Sequence, residues 1–195
     1  MSTPTPALLL RASELIGRPV VSLSGELVAE VKDIVFEPTG GRIAGFTLRN
    51  PGLFSRSRKD SLPWDGVHGL GRDAVMVPDE TVLVATKELV PPKQTRKADV
   101  LEDRVLTDNG RDLGRVVDVV LHSGTILEVV GYEVEASEAL GTAGRRVLIP
   151  LPDTVAVSGE HLIVPAAATE FVSEDLAGFG AAVDAFRSRL REGAS

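Results

Sequence analysis

Three histidines, two aspartates at matching places in apolar runs, and one basic stretch are the residues of this chain whose types could do chemistry. His68, His122 and His161 stand apart from one another. None has a second histidine or a carboxylate at metal-ligand spacing, and no HExxH-like helix holds them. They read as surface or strand-end side chains. Asp33 and Asp118 each interrupt a run of Val, Ile and Leu. A carboxylate so placed could titrate high and act as a general acid or base. It could equally accept backbone amides at a strand bend, and its occurrence at both places favours the bend. There is no Gly-x-Ser-x-Gly, no GxxxxGK[ST], no GxGxxG before a helix, and no cysteine to ligate a metal or act as a nucleophile. These residues predict no enzyme, no cofactor and no metal.

The basic stretch is Arg49-Asn-Pro-Gly-Leu-Phe-Ser-Arg-Ser-Arg-Lys59. Leu53 and Phe54 beside Arg56, Arg58 and Lys59 combine apolar and cationic groups, the chemistry of a partner contact. A protein partner is the leading expectation; RNA or the ribosome and an anionic membrane surface are the alternatives. A hairpin loop folded back over an open barrel end would use the same residues structurally. Trp64, the one tryptophan, is expected in a core.

What must position these residues is an internal repeat. Gly25-Glu-Leu-Val-Ala-Glu-Val-Lys-Asp-Ile-Val-Phe36 matches Gly110-Arg-Asp-Leu-Gly-Arg-Val-Val-Asp-Val-Val-Leu121, pairing Asp33 with Asp118. Gly45-Phe46 then matches Gly131-Tyr132, Leu62-Pro63 matches Ile149-Pro150, and Ala74–Pro78 matches His161–Pro165. Short β-branched runs separated by Ser-Gly, Asn-Gly and Pro-Thr-Gly-Gly turns predict five or six strands per copy. So many short strands suggest a small antiparallel barrel that hides its edges. The fold class expected is all-β, two tandem small antiparallel β-barrels with a C-terminal α-helix. Residues 1–7 are expected to be disordered, 8–86 to form the first barrel, 87–97 a linker, 98–168 the second barrel, and 169–195 a helix and tail.

The opening Ile16-Gly17-Arg-Pro-Val20, then Gly25 with Val31-Lys-Asp33-Ile-Val35, Gly45-Phe46, Leu62-Pro63 and Gly71-Arg-Asp73-Ala74-Val75, resembles the PRC-barrel family. That small barrel is shared by the photosynthetic reaction centre H subunit and the C-terminal domain of a ribosome maturation protein. The second copy resembles it more loosely: Glu102-Asp103-Arg104 lacks the opening glycine, and Leu151-Pro-Asp153 replaces Trp64-Asp-Gly66. The resemblance implies barrels that bind other macromolecules and carries no catalytic residue set.

The net charge of −7 and pI near 5.0 argue against a chain devoted to neutralising phosphates. Residues 1–92 carry a net −1, 93–168 a net −4 and the rest −2, so the first copy is the one suited to an anionic surface. No apolar run approaches a membrane span or a signal sequence. Arginine outnumbers lysine 16 to 5, a composition typical of a GC-rich bacterial genome. In the tail, Leu176, Phe179, Val183, Phe186 and Leu190 form an apolar helical stripe, with Ser173 placed to cap it. The stripe either docks on the chain's own barrels or pairs with a second copy as a homodimer. The whole reads as a cytoplasmic, non-enzymatic adaptor.

Overall fold

The computed structural model describes residues 8–37, 41–52, 56–90, 100–141, 143–152, 157–158 and 161–193. Strands of the first half are β1 (Leu8–Arg11), β2 (Pro19–Ser22), β3 (Leu27–Phe36), β4 (Ile43–Arg49), β5 (Ser57–Pro63), β6 (Gly69–Leu70), β7 (Val75–Val77) and β8 (Val84–Ala85), before a single helical turn, α1 (Thr86–Leu89). The second half gives β9 (Arg104–Thr107), β10 (Asp112–Ser123), β11 (Leu127–Ala136), β12 (Arg146–Pro150), β13 (Val157–Ser158), β14 (His161–Val164) and a long helix, α2 (Leu176–Gly193). The expected disordered segment 1–7, and residues 91–97 of the expected linker, lie outside the described residues. Lys87 to Leu89 of that linker belong to α1.

The strands form two curled seven-stranded sheets, ordered β6-β7-β2-β3-β4-β5-β8 and β12-β11-β10-β9-β14-β13, with β1 added to β10. Each is a half-barrel of the expected β class. Pure antiparallel pairing needs correction: β7 runs parallel to β2 and β14 parallel to β9. In the first copy a 3-10 turn at Trp64–Gly66 carries the chain past the sheet end, and the β6–β7 hairpin then returns it alongside β2.

Asp33 and Asp118 are bend residues. The register slips between Val31 and Asp33 in β3, and between Val116 and Asp118 in β10. At each bulge the carboxylate caps the following amide, Ile34 N or Val119 N, at 2.8 Å. A bulge leaves backbone groups unpaired, and a short side chain with a strong acceptor satisfies one locally.

Strand β1 opens the first copy in sequence yet is bonded into the second sheet, Leu8 facing Ser123 and Arg11 facing Val120. Arg11 donates to Glu133 Oε1 at 2.8 and 3.1 Å, and Ser13 N donates to Asp118 Oδ1 at 3.2 Å. Elsewhere Val129 N reaches Gly41 O at 2.7 Å. One continuous apolar core accordingly runs through both halves, from Val20, Phe46 and Leu62 to Leu113, Val116 and Leu121, with Leu10, Ala12 and Leu15 between.

The apolar stripe of α2 docks in cis. Phe179 and Val183 cover Val120, Val130 and Leu148 on the outer face of the second sheet, while Phe186 enters the main core beside Phe171. Gly131 is required there, because any side chain on it would overlap the Phe179 ring. Asp175, not Ser173, caps the helix by accepting from Gly178 N at 3.0 Å. The Ser173 backbone is already paired with Leu148. This pairing has a counterpart in the first copy. In the first copy Val84 pairs with Ser61 on the equivalent strand, and α1 follows as α2 follows Ser173. Among the described residues no helix is long and apolar enough to cross a membrane.

The missing glycine of the second copy leaves a trace. Gly17 has φ +82° and donates to Val31 O; Glu102 holds φ +74° and donates to Val116 O in the same way. A left-handed conformation costs a non-glycine residue about 1–2 kcal/mol, more than the roughly 0.5–1 kcal/mol entropic cost of glycine. Glu102→Gly should therefore raise unfolding stability by about 0.5–1 kcal/mol, and Gly17→Ala should lower it by about 1–2 kcal/mol. Urea titrations of both variants against the parent check the pair of signs.

Candidate partner-binding surface

Residues kept in both copies serve the fold, so a surface peculiar to one copy is where a partner would be distinguished. At the end of the first sheet where β2 turns into β3, Val21 sits opposite Leu27 on one side and Met76 on the other. Directly opposed residues share a sheet face. Leu23, two residues beyond Val21, bonds through its amide to Val77 O at 2.9 Å. Leu23 and Leu27 are 57% and 50% exposed. Leu27 thus shares a face with the partly buried Val21 and Met76, and Leu23 stands in the adjoining turn.

The second copy is built differently at this place. Asp108 and Asp112 stand where the first copy has Leu23 and Leu27. Asp112 pairs with Arg104 and accepts from Gly114 N, and its carbonyl accepts from Ser137 Oγ at 2.7 Å. Asp108 accepts from Ala166 N at 3.0 Å, and Arg111 donates to Ala139 O. That end carries its own polar contacts, with Ile163, paired to Leu106, left 49% exposed beside them.

The basic stretch lies at the same end of the first sheet, since β4 ends and β5 begins there. Leu53 and Phe54 lie outside the described residues. Arg56 is exposed, with its carbonyl accepting from Asn50 N. Strand β5 starts at Ser57, earlier than the sequence suggests, so Arg58 and Lys59 are strand residues rather than loop residues. Their roles diverge. Arg58 grips Asp60 with two bonds of 2.7 and 2.9 Å and donates to Val28 O at 2.8 Å, so its charge is spent inside the fold. Lys59 is exposed. A third cation joins the edge: Lys32 Nζ donates to Ser57 Oγ at 2.8 Å. Leu23, Leu27 and Lys32 were not singled out by reading the chain, although setting positions 23 and 27 against 108 and 112 reveals the first two.

Trp64 is at the seam between the copies and only partly buried, not in the centre of a core. Its ring meets Phe46 edge-on at 6.3 Å and its indole N–H points to Thr125 O at 3.4 Å. It lines a cleft of about 410 Å³ with Val67, His68, Leu70, Ser123 and Ile126. His68 and His161 are exposed, and His122 sits 3.8 Å from Glu128. Among the described residues no three His, Asp or Glu side chains gather to hold a metal. Burial pushes the Tyr132 hydroxyl far up, so this side chain is a neutral core residue.

The PRC-barrel domain family matches residues 9–88 and again residues 93–170. No curated protein matches the chain.

The Arg58 hydrogen bonds hold the Asp60 carboxyl below its ordinary value of 3.8. A depressed folded-state value contributes stability that is present above the unfolded value and lost as pH falls through the folded one. Asp60→Asn should accordingly flatten the acid limb of the stability curve below about pH 4 and lower stability at neutral pH. Denaturation midpoints of parent and variant between about pH 2 and 7 measure the difference. Parallel curves would show that the pair contributes no pH dependence.

Proposed function

The chain belongs to the PRC-barrel family, one domain in each half, and from that premise we propose that it is a non-enzymatic, cytoplasmic adaptor whose first barrel docks a protein partner. Domains of this family serve as interaction modules. The observation that carries the reading is the inequality of the two copies: Leu23 and Leu27 half-exposed where Asp108 and Asp112 stand in the other. A surface leucine in a duplicated turn costs solubility and contributes nothing to the fold that an aspartate does not. Burying each fully would contribute about 1 kcal/mol. That suits the centre of an interface whose cationic rim, Lys32, Arg56 and Lys59, steers the approach. The absence of cysteine from the sequence suits a reducing compartment.

Of the three cations first expected to meet RNA, Arg58 is neutralised by Asp60. Two exposed cations from that set give a small phosphate footprint, so a protein is favoured over RNA.

Leu23→Asp with Leu27→Asp gives the first copy the residues of the second. Both side chains are half-exposed, so stability should stay within about 0.5 kcal/mol of the parent. Affinity capture from the native host should lose the partner by at least about tenfold, the effect of removing a central apolar contact. An unchanged captured set from the folded variant would overturn the reading.

A further inference from the structure

We propose that the outer edge of β5 accepts an extended acidic segment of the partner as an added strand. This rests on the docking role of the first barrel and names how and what it binds. Strand β8 pairs with β5 only at Asp60 and Ser61. Among the described residues no strand lies along the outer side of Ser57–Lys59, which instead borders an open groove of about 550 Å³ lined by Asn50, Ser57, Arg58, Lys59, Asp60 and Ala85. In the second copy β12 is likewise the edge strand of its sheet, with Leu148 bridged by Ser173 as Ser61 is paired by Val84. Aligning Ile149 with Leu62 sets Arg146, the first residue of β12, against Lys59, and the residues matching Ser57 and Arg58, Gly144 and Arg145, precede the strand and exchange backbone bonds with Ala136.

A bare edge invites any strand, and lysine on it is a common deterrent to pairing with like edges. Here the cations are arranged on one side. The register against β4 slips between Ser57 and Ser61, yet burial alternates here, with Ser57 and Lys59 exposed and Arg58 and Asp60 partly buried, and Lys32 Nζ donates to Ser57 Oγ. Arg58, on the opposite face, is already matched by Asp60, with Glu80 at 3.8 Å. A strand laid on this edge therefore meets positive charge on one face and, on the other, an Arg58 already matched by Asp60 with Glu80 beside it. Carboxylates at alternate positions, with uncharged β-formers between, fit that arrangement. Main-chain bonds would give affinity and the alternating charges specificity, the general mode of strand addition.

The probe is a labelled heptapeptide, Thr-Glu-Val-Glu-Val-Glu-Thr, titrated against the full chain by fluorescence anisotropy. Three controls accompany it: the same peptide with lysine for glutamate, one with proline for both valines, and a uridine oligonucleotide. The glutamate peptide should bind, both peptide controls should bind at least about tenfold more weakly, and Lys32→Glu with Lys59→Glu should weaken binding similarly. Hydrogen exchange at the amides of Ser57–Lys59 should slow on binding. Equal binding of glutamate and lysine peptides, binding without that protection, or tighter binding of the oligonucleotide at these residues would each overturn the proposal. The peptide carries no anchor for Leu23 and Leu27, so the Leu23→Asp, Leu27→Asp variant should bind it normally. Peptide binding with unchanged capture by that variant would overturn the apolar docking surface alone. Lost capture without peptide binding would overturn strand addition alone.

Discussion

The pairing of β1 with β10 is the contact on which the two halves depend. A strand from the start of the first repeat completes the sheet of the second, so the halves cannot part without exposing a sheet edge. Its end is fixed by charge. Asp118 and Glu133 face one another across β10 and β11, and both are almost wholly buried. Two buried carboxylates side by side are unfavourable unless a cation and donors compensate. Arg11 supplies the cation to Glu133, raising its own affinity for protons through that bond, while Ser13 N and Val119 N satisfy Asp118. A buried pair of this kind adds little net stability, but removing one partner is costly. It specifies which strand sits at β10.

From that joint follows a molecule with a repeated backbone and unequal surfaces. The outer face of the second sheet is occupied by α2 through Phe179 and Val183, whereas the corresponding place in the first is met by the single turn of α1, where Thr86 bonds Ser61 at 2.9 Å. The hairpin end of the second copy carries the polar contacts of Asp108, Arg111 and Asp112. The first copy places Leu23 and Leu27 at that end, and among the described residues no strand covers Ser57–Lys59 of β5.

Much of this is legible in the chain because its signals are local or repeated. The strands follow from β-branched runs and glycine turns, the bulges from Asp33 and Asp118, and the helix from the spacing of Phe179, Val183 and Phe186. Long-range choices are not legible. Nothing in Leu8-Leu-Leu-Arg11 says that it pairs over a hundred residues away, since four apolar-to-basic residues suit any sheet. Arg58 reads as one more cation beside Arg56 and Lys59, because the chain does not show Asp60 and Val28 converging on it. Trp64 reads as core by size, yet it is a seam residue because the second copy supplies its far wall.

Glu102 shows how far the fold tolerates divergence and where that tolerance ends. The second copy keeps a left-handed residue where the first has Gly17, accepting local strain to preserve the bond to Val116 O. The two copies thus share this backbone geometry at an energetic cost in the second, while the side chains at 108 and 112 differ from those at 23 and 27. Constraint acts on the paths of the strands, and freedom lies at the turns and edges. The duplicated barrel thus presents two surfaces on one fold: half-exposed Leu23 and Leu27 in the first copy, hydrogen-bonded Asp108 and Asp112 in the second.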